Sequence, residues 1–310
     1  MDCALRYVLL LTLPCLLAAC GGDSDHASGT PSSPVSSDII WQQQDNLNLP
    51  AGVTFHRGQK EGHTQFSAWY LKLDPSVAEL ALNPIRLSPV KTLDQLTEPH
   101  LVAAMNGGFF GGDQSYSAAI KGNEVLSKNI AALSRFNKTY PVMRALFLTD
   151  TAGKSEVTWI YHFGDSVADI RQYDQPLAYQ RNSDTPQPAP QAEDGRLLPS
   201  LGMAIGGGPM LVQDGATVLS YDEEIFWGSG VELTDTRPRS AIGYTAQGYI
   251  ILFVTNALTL TELPGHLLKL GVEGAINLDG GGSSALRVLD DTVFNQHRPV
   301  PIALTISQEP

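Results

Sequence analysis

Apolar positions in this chain fall into short runs rather than long periodic stretches. Ser67 to Leu73, Leu101 to Met105, Arg144 to Leu148, Ser240 to Tyr244 and Tyr249 to Thr255 are rich in apolar, aromatic or β-branched residues. Each is bounded by turn residues, which predicts strands. One stretch has helical spacing: Leu260, Leu263, Leu267 and Leu270 make a single apolar stripe. Thr259 or Thr261 can cap its start, Pro264 is tolerated in a first turn, and Gly271 suits the position after the last turn. Strand 249–255, this helix and strand 274–278 suggest a βαβ unit, whose ligands gather beyond the carboxyl ends of the strands. The expected fold class is α/β (mixed α+β), a single strand-rich domain with helices packed on the sheet. Asp174 to Leu197 has prolines, glutamines and acids without a period and reads as a long surface loop or insertion.

The first residues change the picture of the compartment. Arg6 precedes the apolar run Tyr7 to Leu11, and Leu17-Ala18-Ala19 leads into Cys20. This predicts a signal peptide over 1–19, too short in its apolar part for a membrane span. Leu-Ala-Ala-Cys also looks like a bacterial lipobox, so Cys20 is the expected lipidated first residue. Residues 20–48 are expected to be that cysteine and a flexible linker, and 49–310 the folded domain. Gly21 after the cysteine points to the outer membrane. Cys3 and Cys15 leave with the signal, which excludes a disulfide framework and a cysteine metal site. The formal net charge of -12 makes nucleic acid an unsuitable partner.

Candidate chemistry gathers in three glycine clusters that end or interrupt apolar runs: Met105 to Phe110, Ile205 to Pro209 and Ala275 to Leu286. Glycine lets the backbone turn with positive φ and approach a ligand closely, so convergence on one cleft is expected. The third cluster places Asp279 at the end of an apolar run, ahead of three glycines and two serines.

Asn106-Gly107-Gly108-Phe109-Phe110, Gly207 to Val212, Pro238 to Gly243, Asn277 to Ser284 and Arg298-Pro299-Val300 occur in the order seen in phosphodiester glycosidases. The sequence resembles that family from about Val53 to the C-terminus. The segment Asn-Leu-Asp-Gly-Gly-Gly-Ser-Ser is the most specific part. Bacterial members are often exported or lipid-anchored, which matches Cys20. The insertion around 174–197 and the lack of the animal members' disulfides and accessory modules are the departures.

The resemblance implies hydrolysis of a sugar-1-phosphodiester on its glycosidic side, with a sugar-phosphate or glycan as partner. It implies Asp279 as the catalytic carboxylate, with Asn106 and Arg239. Arg239 and Arg298 are the expected phosphate ligands, because a guanidinium matches phosphate bidentately. Gly107, Gly108 and Gly208 would border the substrate. Backbone amides of Gly280, Gly281, Gly282, Ser283 and Ser284, with the Ser283 hydroxyl, could form an anion-binding nest. A second carboxylate is hard to name: Asp113 is a weak candidate, Glu61 and Glu124 weaker. Phosphate is already a good leaving group and needs little protonation.

No cofactor is expected. The histidines His56, His63, His162, His266 and His297 lack ligand spacing. Asp279 with turn carbonyls could hold a hard divalent cation, although no Asp-x-Asp loop supports one. Two rival functions stand beside the glycosidase. One is a surface lipoprotein that binds glycans without cleaving them. The other is a serine hydrolase, with Ser283 as nucleophile and Asp290, Asp291 and His297 following in triad order.

Overall fold

The strand patterns carry through almost the whole molecule, which a computed structural model describes for residues 38–294 and 298–309. The expected signal peptide, Cys20, most of the linker and His297 lie outside the described residues. Ile39–Gln43, within the span expected to be linker, pairs antiparallel with Val53–Lys60.

An eight-stranded sheet runs in the order Ile39–Gln43, Val53–Lys60, His63–Leu73, Ile250–Leu258, Arg237–Thr245, Val272–Asn277, Met210–Gln213, Ala216–Thr217. A seven-stranded sheet is centred on Ser155–His162, Arg144–Asp150 and Leu201–Gly206. A five-stranded sheet carries Leu286–Val288, Leu101–Asn106, Val300–Gln308 and Leu80–Lys91 side by side. The pairings within these sheets are antiparallel.

This overturns the α/β expectation. The fold is nearly all β, with one short α-helix, Leu263–Lys269, among the described residues. The helix does connect Ile250–Leu258 to Val272–Asn277. Both strands are antiparallel to Arg237–Thr245, which lies between them, so no adjacent parallel pair forms. The misreading has a physical cause. Ile250 to Thr255 is buried on both faces of its sheet, and such a strand is continuously apolar whatever its neighbours' direction.

One face of the eight-stranded sheet joins the other two sheets in a common core. Phe55, Trp69 and Leu71 meet Phe147, Trp159 and Ile205 there, and Ala103, Met105 and Leu304 from the five-stranded sheet. The opposite face is covered by the helix and by the segment holding Tyr221, Phe226 and Trp227. Leu260, Leu263 and Leu267 are fully buried under the helix, each contributing about 2 kcal/mol of apolar burial. Thr259 and Glu262 exchange reciprocal hydrogen bonds at the helix entrance, and Gly271 ends it at φ 76°. Residues 174–191 contain no strand or helix, and a single 3-10 turn, Ala192–Asp194, follows.

Candidate active site

Three strands from three different sheets end at one junction. Leu101–Asn106, Leu201–Gly206 and Val272–Asn277 each run into one of the glycine clusters. Backbone hydrogen bonds tie the clusters together: Asp279 N donates to Gly107 O at 3.2 Å, Gly208 N to Asn277 O at 2.8 Å and Gly107 N to Ile302 O at 3.0 Å. Such contact requires glycine. A Cβ on Gly108 would lie 2.3 Å from Gly206 O, and one on Gly207 would lie 2.2 Å from Asn277 O. Asn106, Gly107, Gly108, Gly208 and the turn 279–284 are therefore neighbours, as the sequence suggested.

Asn106 is the hub of this junction. It is completely buried. Its Nδ2 donates to Asp279 O at 2.8 Å and Gly107 O at 3.0 Å. Its Oδ1 accepts from Ser240 Oγ at 2.8 Å and Ala285 N at 3.1 Å. A side-chain amide has two donors and two good acceptor positions, and all four are used here. Asn106 positions Asp279 and has no hydrogen-bonding capacity left for substrate.

Arg239, the expected phosphate ligand, is likewise turned inward and only 2 % exposed. Its Nε donates to Leu258 O, and one terminal nitrogen reaches Glu232 O, Asp235 O and the Asp235 carboxylate at 2.7 Å. These bonds fasten the loop before the strand to its neighbour. Burial lowers the Arg239 pKa, while Asp235 opposes that shift.

The turn itself behaves differently. Asp279 is half-buried, and its Oδ1 accepts from Gly280 N at 3.0 Å. Burial raises its pKa above the ordinary carboxylate value; Ser283, the Gly280 N–H, Arg298 and Arg237 pull it back down. The Ser283 hydroxyl thus sits close enough to favour the charged carboxylate, yet it makes no hydrogen bond of good geometry. Ser284 Oγ and Asn277 Oδ1 are also buried without a partner. Three buried polar atoms without a partner thus lie on this turn and the strand leading into it, and each costs free energy until it is paired. Gly281 takes φ 62°, and nothing lies within 4 Å of a Cβ built on Gly281 or Gly282, so the turn is open on that side.

Arg298 sits at this opening. It is exposed, its backbone N–H donates to Gly282 O at 3.2 Å, and its guanidinium lies 4.1 Å from the centre of the Phe110 ring. Contact with an aromatic face helps to orient a guanidinium.

Sequence reasoning missed two charged residues here. Arg237, half-exposed and ion-paired with Asp235, is near enough to lower the Asp279 pKa. Glu224 is completely buried behind Gly208, where a Cβ would fall 2.3 Å from its Oε2. Its carboxylate accepts from Met210 N, Ser220 Oγ, Trp159 Nε1 and Ala145 N. The Arg144 guanidinium stacks 4.0 Å from the Phe226 ring and is pushed down to about 10 by burial. Burial raises the Glu224 pKa against the pull of Arg144, the Ser220 hydroxyl and the Ala145 and Met210 backbone N–H groups. No spacing in the sequence signals this cluster, because its members come from distant segments.

The weaker candidates stay outside: Asp113, Glu61 and Glu124 are exposed. Ser283 lies on a 3-10 turn, Gly281–Ser283, and not at the start of an α-helix. Asp290 is exposed and pairs with Arg287. Among the described residues no group of three His, Cys, Asp or Glu side chains converges on a metal position.

Comparison with known proteins places this geometry. The sequence profile of the phosphodiester glycosidases matches residues 99–307, a span holding Asn106, Arg239, Asp279 and Arg298. A comparison with curated proteins finds no match. A solved structure of a hypothetical protein from Synechocystis superposes with a TM-score of 0.52 at 20 % identity, covering 90 % of this chain and 64 % of that chain. The zebrafish N-acetylglucosamine-1-phosphodiester alpha-N-acetylglucosaminidase catalytic domain, auto-inhibited by its pro-peptide, superposes with a TM-score of 0.52 at 17 % identity. There 91 % of this chain and 87 % of that chain are covered. At these identities the superpositions speak for the shared fold.

Proposed function

This chain belongs to the phosphodiester glycosidase family, and from that premise we propose that it hydrolyses the glycosidic bond of a sugar-1-phosphodiester. Water adds its hydroxyl to the anomeric carbon, the carbon–oxygen bond breaks with its electron pair on the leaving phosphate oxygen, and water's second proton goes to the phosphomonoester or to solvent. Asp279 stabilises the positive charge that develops at the anomeric carbon. Its raised pKa is the expected mark of a carboxylate held partly out of water. Arg298 receives the phosphate, and the nest from Gly280 to Ser284 supplies further donors. The observation that supports this reading is the half-buried Asp279 carboxylate on a turn that is open at Gly281 and Gly282 and otherwise fixed by hydrogen bonds. Arg239 and Asn106 act by positioning.

The substrate context proposed is a cell-envelope glycan or glycoconjugate, with the enzyme lipidated at Cys20 and held at the outer membrane. The lipobox-like Leu17-Ala18-Ala19-Cys20 followed by Gly21 supports this. Mass spectrometry of the mature protein should find an acylated Cys20 at the N-terminus; an unmodified cysteine would remove the anchor. The hydrolytic reading is tested by incubating the protein with a synthetic hexose-1-phosphodiester. Free hexose and phosphomonoester in equal amounts are expected. Binding without product would favour the glycan-binding alternative.

A further inference from the structure

Arg237 belongs to none of the motifs that identify the site, yet the strand register brings it there. In the pairing of Arg237–Thr245 with Val272–Asn277, Ala241 lies opposite Asn277. Beyond that pair the two chains stay together: Leu278 N donates to Ser240 O at 2.8 Å. Pro238 O would lie 3.0 Å from a Cβ on Gly280. Arg237 therefore emerges beside the open part of the turn at Gly281. Arg298 reaches the same turn, its backbone N–H donating to Gly282 O.

Its orientation is also set. One oxygen of Asp235 pairs with Arg237, and the other accepts at 2.7 Å from the buried Arg239. Asp235 is thus a bracket joining an arginine fixed in the interior to one half-exposed at the site. Both Arg237 and Arg298 pull the Asp279 pKa down, against the effect of burial.

Two arginines exceed what the substrate alone requires. A phosphodiester carries one negative charge, which a single bidentate guanidinium can match. When the carbon–oxygen bond breaks, its electron pair stays on the leaving oxygen and gives the phosphate a second negative charge. A donor aimed at charge that appears only during the reaction raises kcat more than it tightens substrate binding. We propose that Arg237 is a second phosphate-binding residue, which receives the charge that develops on the leaving phosphate. The proposal rests on the hydrolytic reading above.

The test is Arg237→Gln in the full chain, read by kinetics and by direct calorimetric binding of inorganic phosphate. Turnover of a hexose-1-phosphodiester should fall about a hundredfold, the scale of losing one electrostatic stabiliser. KM should move less than about threefold, because ground-state binding is left to Arg298. Phosphate affinity should drop about tenfold or more, and Arg237→Lys should recover only part of both losses. The thermal midpoint should stay within a degree or two of the parent, since a half-exposed ion pair stabilises little. Unchanged kcat with unchanged phosphate affinity would overturn the proposal, as would a raised KM at constant kcat. If the parent binds phosphate through Arg237 but turns over no diester, the hydrolytic reading fails while the binding role stands. No phosphate binding by the parent would overturn the role of Arg237, whereas diester turnover alone decides the hydrolytic reading.

Discussion

Asn106 and Asp279 stand one hydrogen bond apart, yet they belong to two regions that treat polar groups in opposite ways. Behind the junction, Asn106, Arg239 and Glu224 are buried and densely bonded. In front, on the turn from Asn277 to Ser284, buried polar atoms are left without partners. A frame must be satisfied by the protein itself, because its groups never meet solvent or ligand. A binding surface has to hold valence in reserve, at a cost in stability. The difference separates residues that share the same family motifs but not the same task. Arg239 and Arg298 differ in place as well: one guanidinium is buried and ties loops together, the other is exposed beside the Phe110 ring.

Changes to the frame should give the largest losses of stability. Glu224→Ala would strand the indole N–H of Trp159, two backbone amides and the buried Arg144 charge. A loss of about 3–5 kcal/mol is expected in urea unfolding, the scale of breaking a buried charged cluster. A loss below about 1 kcal/mol would mean that Glu224 is not part of the frame.

The two arginines offer a sharper contrast. Arg239→Ala should lower stability by about 2–4 kcal/mol, since it removes bonds to three carbonyls and a carboxylate. Arg298→Ala should leave the thermal midpoint unchanged while costing about 2 kcal/mol or more in kcat/KM, as expected for a lost phosphate partner. The reverse pattern would merge the two regions into one.

Ser283→Ala removes a buried hydroxyl that has no partner. Stability should be equal or slightly higher, by up to about 1 kcal/mol, with turnover reduced about tenfold. A marked destabilisation in thermal melts would show that the hydroxyl is bonded in solution and belongs to the frame.

The smallest effect concerns pH. Asp279 has its pKa raised by burial, so its charged form opposes folding once pH exceeds the ordinary carboxylate range. The stabilising contribution of the neutral form is present at low pH and lost as pH rises through the raised pKa. Asp279→Asn should therefore melt slightly higher than the parent at neutral pH. The gap should close as pH falls below the ordinary range, where the acid is protonated in both folded and unfolded chains. A variant that melts lower at neutral pH would show the carboxylate to be stabilising.

How much of this could be read in the sequence follows from range. Leu101 to Met105 and Ser240 to Tyr244 are recognisable as strands because their side chains declare it locally. The glycine clusters were legible for a similar reason, since backbone contact leaves no room for Cβ at Gly108 or Gly207. The sheet arrangement was not. Nothing between Ile250 and Asn277 reveals that Arg237–Thr245 separates the two strands flanking the helix. Glu224 was invisible because its partners lie up to 80 residues away. Arg239 was recognised as important for its motif, but whether a guanidinium points inward or outward is decided by Leu258 and the 232–235 loop.

The central claim is that Asp279 belongs to the working surface and acts in chemistry rather than in folding. Turnover of a hexose-1-phosphodiester by purified Asp279→Asn, measured beside its thermal midpoint, tests this most directly. A fall of at least about a hundredfold is expected, in a protein that melts no lower than the parent at neutral pH. Near-parental turnover in the folded variant would contradict the account, and so would a protein that cannot fold without the carboxylate.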